Sequence, residues 1–202
     1  MRCACGSEDS QLPGAENIRD ILAFIVGDAA KHFRVIPLTD AFTADSRRGL
    51  RREDERDETV TLHRFGDVTV AGIPFFVMDP ARSLSGANLV ALKGGPGNGI
   101  IADEFPRRVE IPTAVTAASL HFLGGVGGWA WPTGGDAVRG TPAMKVTVVF
   151  ADGTSQEHVL KNGETFADTF GRAEVPVSAY VGGFTRRGEV RYVAVNLGRR
   201  AA

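Results

Sequence analysis

The chain has 202 residues, with 23 Lys+Arg set against 24 Asp+Glu, and its sequence pI near 6.4 excludes the strongly basic surface that nucleic acid or an anionic membrane would select. That length suits one domain with an appendage and buries a core without disulfide staples. The only cysteines, Cys3 and Cys5 in MRCACG, match neither a CxxC redox pair nor CxxCH haem attachment, so two free thiols are expected.

No continuous apolar core marks the first residues as a signal peptide, and the early apolar run at 21–26 is too short to span a bilayer, so no membrane insertion is expected. Residues 15–33, AENIRDILAFIVGDAAKHF, place Ile18, Ile21, Leu22, Ile25 and Val26 on one helical face, which predicts one N-terminal helix. Residues 1–34 are accordingly expected as a helical segment and 35–202 as a second unit. The run RRGLRREDERDE at 47–58 mixes charges densely and reads as a solvated loop.

Beyond it come short extended segments between turns: 59–62, 68–71, 75–78, 88–92, 107–111, 119–123, 145–150, 157–161 and 189–197. This cadence predicts a mainly β fold, an antiparallel β-sandwich with one N-terminal α-helix. Asp152-Gly153 tolerates the positive φ of a tight turn, which predicts a hairpin over 145–161 turning at 151–154. In its first arm Val146, Val148 and Phe150 alternate with Lys145 and Thr147, giving one buried and one wet face.

The stretch 109–135, VEIPTAVTAASLHFLGGVGGWAWPTGG, runs from an apolar segment into a glycine-rich loop that carries both tryptophans, Trp129 and Trp131. Aromatic rings on such a loop make stacking surfaces for sugars, whereas rings at a strand end cover a core; both readings are open. His121, Asp136 and Arg139 are the nearby hydrogen-bonding candidates. The four histidines lack metal-ligand spacing, which leaves zinc without support. A structural calcium is left open. No serine stands in GxSxG, and KGGPGNG at 93–99 lacks the GK[ST] ending of a phosphate loop, so it reads as a connecting loop. The carboxylates Asp103, Glu104, Asp136, Glu164 and Asp168 could form a hydrolytic pair only if folding brought two of them together. Arg107, Arg108, Arg139, Arg186 and Arg187 could clamp a carboxylate or sugar hydroxyls, or simply protect strand edges.

The ordered motifs DSRRG at 45–49, VTVAGIPFFVMDP at 68–80, NLVALKGGPG at 88–97, FPRRVEIP at 105–112, LHFLGGVGGWAWP at 120–132, KVTVVFADGTSQEHVLKNGETFAD at 145–168 and RRGEVRYVAVNL at 186–197 resemble a galactose-binding-like jelly roll. Similar NPCBM-like, carbohydrate-binding-module-like units are appended to bacterial c-type cytochrome and trehalose-utilisation-like multidomain proteins. The resemblance implies an extracytoplasmic location and a non-catalytic module that binds carbohydrate or glycan beside a larger protein. It also implies Trp129 and Trp131 as stacking residues, with His121, Asp136 and Arg139 as polar contacts. Upstream, LPGAENIRDILAFIVG at 12–27 resembles the last helix of a c-type cytochrome domain, but no CxxCH precedes it and no haem is expected. Two alternatives stand beside the binding module. The apolar helix face suits an assembly module that contacts a partner protein or a second copy. The carboxylates around the tryptophan loop would serve a hydrolase.

Overall fold

The computed structural model describes residues 33–48, 50, 61–93, 105–170 and 172–201, the last three of these as backbone only. The expected helix lies outside the described residues apart from Phe33, as do Cys3, Cys5, Asp103, Glu104, residues 94–99 and most of the mixed-charge run. Among the described residues, no helix is long and apolar enough to cross a membrane.

The fold is mainly β. Its strands are β1 (Gly66–Val70), β2 (Ile73–Val77), β3 (Ala117–Gly124), β4 (Pro142–Val149), β5 (Ser155–Lys161), β6 (Ser178–Val181) and β7 (Val190–Ala201). They make a β1-β2 pair, a three-stranded sheet ordered β3-β7-β6, and a β4-β5 pair. Every pairing is antiparallel.

Strand β7 organises the core because its sequence is apolar on both faces. Val193, Val195 and Leu197 point to one side and pack with Ala117, Phe150, Leu160 and Phe166, joined by Leu120, Phe122, Val146 and Val148. Tyr192 and Ala194 point to the other side and meet Ile73, Phe75, Val70, Leu123 and Phe33. The β4-β5 hairpin therefore covers one face of the central sheet and the β1-β2 hairpin the other. Each fully buried valine or leucine contributes roughly 1.5–3 kcal/mol.

The expected hairpin forms as its turn chemistry dictates. Phe150 N–H donates to Thr154 C=O at 2.9 Å and Gly153 N–H to Phe150 C=O at 2.9 Å. The Asp152 carboxylate accepts from the Thr154 amide at 2.9 Å and its hydroxyl at 2.6 Å. Phe150 is buried and Val146 and Val148 half-buried, while Lys145 and Thr147 face solvent. A second hairpin, between β1 and β2, turns on Ala71 at φ 51 and Gly72 at φ 78. Both central residues are left-handed, the requirement of a two-residue turn matched to strand twist.

Two expected strands are not strands, and the described half of a third, 59–62, lies in none. Residues 107–111 have no ladder. Pro106 and Pro112 flank that segment and supply no N–H. Residues 88–92 make only the single bridge Leu89 to Ala44, because Asn88 takes up the local backbone instead. Its side-chain amide donates to Met78 C=O at 2.8 Å and to Ser46 Oγ at 3.0 Å, and its carbonyl accepts from Ser46 N–H at 2.8 Å.

Candidate functional site

After β3 ends at Gly124, the chain runs through Val126, which bridges to Asp168, and into the tryptophan loop. Three hydrogen bonds stitch the two segments together, and a fourth lies within the second segment. Asp168 N–H donates to Trp131 C=O at 2.6 Å and Thr169 N–H to Val126 C=O at 2.9 Å. The Asp168 carboxylate accepts from Ala130 N–H at 2.8 Å and from Phe170 N–H at 3.1 Å. That carboxylate is a strut, fully buried at 0% exposure. Burial pushes its carboxyl above the usual range, and the amides that donate to it oppose the shift.

The held loop adopts an unusual backbone. Trp129 sits at φ 69 in the left-handed region, which costs a residue with a Cβ roughly 1–2 kcal/mol. Its indole is 53% exposed. The Trp131-Pro132 peptide is cis, and Gly134 N–H closes the turn on Ala130 C=O at 2.8 Å. A Cβ at Gly134 would stand 2.1 Å from the Trp129 carbonyl oxygen, so only glycine fits.

Trp131 behaves differently from Trp129. It is half-buried, its Nε1–H donates to Asp136 Oδ1 at 3.1 Å, and the Arg139 guanidinium lies over its ring at 5.1 Å from the centroid. A short 3-10 turn, Asp136–Val138, sets this triangle, because it lifts Arg139 back toward the indole of Trp131, eight residues before it in the chain. The aliphatic stem of Arg139 crosses the Asn162-Gly163 turn, where a Cβ on Gly163 would come within 2.6 Å of Arg139 Cγ. Gly140 N–H donates to Asn162 C=O at 2.7 Å, fixing the two turns together.

The structure thus brings Trp129, Trp131, Asp136 and Arg139 onto one loop and leaves His121 out. His121 belongs to the Tyr192 side of the central sheet. One ring nitrogen is 2.8 Å from Ser119 Oγ and the other 2.7 Å from the Tyr192 hydroxyl. Tyr192 stacks on its ring at 5.9 Å, and Phe33 meets it edge-on at 5.2 Å. Burial lowers its pKa to about 4, so it is neutral at pH 7, with one nitrogen donating and the other accepting. Both are engaged within the protein. The pleat explains the separation, since His121 alternates with Leu120 and Phe122, which face the opposite cluster.

The three candidate carboxylates among the described residues are also occupied. Asp136 holds the Trp131 indole, Glu164 lies 3.5 Å from Lys161 Nζ, and Asp168 is the strut. Arg108 pairs with Glu110 at 2.7 Å. No group of three His, Cys, Asp or Glu among the described residues could hold a metal ion.

Sequence reasoning missed the structural role of Asp168 and a second buried brace. Glu189 and Arg191, each with a side chain 1% exposed, pair at 2.6 Å. Arg191 also donates to Ser178 Oγ at 3.4 Å and to the Ala173 carbonyl. Glu189 N–H donates to Thr169 C=O at 3.1 Å, so the pair supports the segment that carries Asp168. Burial raises the Glu189 carboxyl, and Arg191 opposes that rise. The available signal was the spacing E-x-R at the head of an apolar run, which sends both charges to one face of a strand. No protein-family model, no curated protein and no solved structure matches this chain.

Proposed function

We propose that the chain is a non-catalytic binding module, a β-sandwich of the galactose-binding-like kind, that holds a carbohydrate or glycan at the loop 124–139 within or beside a larger bacterial protein. The observation that carries this reading is Trp129: a large aromatic, more than half exposed, on a left-handed backbone clamped from beneath by a buried carboxylate. A strained residue persists only where its surroundings over-determine it, and such outliers cluster at ligand sites. An exposed indole on a hydrogen-bonded loop offers a flat apolar face to the C–H face of a sugar ring. Asp136 and Arg139 supply acceptors and donors for hydroxyls alongside it.

In this reading Trp129 is the platform and Trp131 a positioning residue that seats Arg139. His121 serves the core and has no part in binding. Both tryptophans of the chain lie in the loop, so intrinsic fluorescence reports the site without a label. A panel of plant and algal polysaccharides is titrated against the wild type, Trp129→Ala and Trp131→Ala. Saturable binding that Trp129→Ala abolishes is the expected result. Absence of binding across the panel, or binding indifferent to Trp129, overturns the reading.

A further inference from the structure

We infer that the ligand is an anionic glycan, whose carboxylate or sulfate group is taken by Arg139 while its sugar ring lies on Trp129. The inference deepens the reading of the loop as a glycan site and rests on it.

Arg139 is exposed, yet it is held on two sides. Its guanidinium lies over Trp131 at 5.1 Å from the ring centroid, and its stem runs across the Asn162-Gly163 turn, where only a glycine leaves room for it. Arginine is rich in rotamers; a side chain already confined loses less rotamer entropy when a ligand binds. Two carboxylates of the adjoining turns are engaged elsewhere, Asp136 with the Trp131 indole and Glu164 near Lys161. Among the described residues no carboxylate stands within ion-pair distance of Arg139.

A confined, planar, five-donor cation with no ion-pair partner among the described residues is a poor fit to neutral hydroxyls alone. It matches the two parallel acceptors of a carboxylate or the oxygens of a sulfate, which accept bidentate, charge-assisted hydrogen bonds. Trp131 packs against the guanidinium, and the Arg139 side chain is exposed to solvent. The Gly134 constraint keeps Trp129 and this turn in register, since the Trp129 carbonyl and Val138 Cγ2 both pack within about 3 Å of the space a Gly134 Cβ would occupy. The aromatic platform and the cationic donor edge therefore belong to one rigid turn, as recognition of a sugar ring bearing an acidic substituent requires.

The test titrates the intact chain with polygalacturonate, with carrageenan and with a neutral galactan, using wild type, Arg139→Gln and Arg139→Lys at low and moderate salt. Arg139 is exposed, and thermal melting checks that each variant is folded. The expected result is at least about tenfold tighter binding of an anionic polymer than of the galactan. That margin disappears in Arg139→Gln, survives in part in Arg139→Lys, and shrinks with salt. Whether polygalacturonate or carrageenan shows the margin assigns the anion as carboxylate or sulfate. Equal affinity for charged and neutral polymers, or an anionic preference untouched by Arg139→Gln, overturns the inference and leaves the Trp129 reading standing. Absence of binding to all three polymers, and to the wider panel, overturns both.

Discussion

Two polar-aromatic clusters in this molecule use similar parts and end in opposite states. Around His121, Ser119 and Tyr192 close every hydrogen-bonding position of the imidazole inward, and Phe33 covers its edge. Around Trp131, Asp136 satisfies the indole N–H, but Arg139 is exposed and the neighbouring Trp129 is more than half in solvent. The first cluster is a satisfied piece of core. In the second, left-handed backbone, a tight glycine turn and an exposed indole are all maintained against their intrinsic cost. Residue type does not separate the two; which groups remain unpaired does.

The largest effect is expected where the open cluster depends on a closed group. Asp168→Ala leaves the Ala130 and Phe170 amides without their buried acceptor, at a cost of about 3 kcal/mol or more. Denaturant unfolding measures that loss. Because only Trp129 and Trp131 emit as tryptophan, the native emission spectrum should change as well. A destabilised variant whose native emission matches wild type would show that the loop holds its shape without the strut.

The closed cluster has a pH signature with a definite sign. His121 has its pKa lowered to about 4 from an ordinary value of 6.5, so between those values the unfolded chain binds more protons than the native one. Stability is therefore fully present above about pH 6.5 and falls as pH drops toward 4, by up to about 3 kcal/mol. Asp168 and Glu189, whose carboxyls burial raises, act in the opposite sense over the carboxylate range. The comparison of wild type with His121→Gln across pH 7 to 5 isolates the histidine. An identical pH slope in the two proteins would mean that His121 is not held neutral by its surroundings.

What the sequence disclosed follows the same division between local and assembled features. The β4-β5 hairpin was legible because its turn and its alternation are both local, and the register came out as the pleat requires. The β1-β2 hairpin was not, since Ala71-Gly72 lacks the Asn or Asp that marks such turns. Strand β6 escaped notice because four residues, SAYV, carry too little pattern. At the site, the loop and the residues Trp129, Trp131, Asp136 and Arg139 were legible from proximity in the chain. The exclusion of His121 depended on strand phase. Asp168 was visible only as one acidic residue among several, because its partners at Ala130 and Phe170 are backbone amides, and no side-chain pattern records them.

A further contrast separates the two tryptophans. Trp131→Ala removes a half-buried ring with a cation above it and a carboxylate on its N–H, and should lower stability by about 1–2 kcal/mol. Trp129→Ala removes a mostly solvated ring and should stay within about 0.5 kcal/mol of wild type. Reversal of that order in thermal or denaturant melts would assign the core role to Trp129 and remove the basis for treating it as a platform.

The smallest effect tests whether the left-handed backbone is maintained for the indole. Alanine at 129 still has a Cβ and keeps the strain at φ 69, whereas glycine accepts that conformation freely. Glycine also widens the unfolded ensemble, which offsets part of the gain by about 0.5–1 kcal/mol. Relief of roughly 1–2 kcal/mol of strain should exceed this, leaving Trp129→Gly more stable than Trp129→Ala by a few tenths to about 1 kcal/mol. Both variants should lose the proposed glycan binding equally, since both lack the ring. A glycine variant less stable than the alanine one would mean that φ at this position relaxes once the indole is gone, and that the side chain's own contacts, not Asp168 beneath the loop, hold the backbone left-handed.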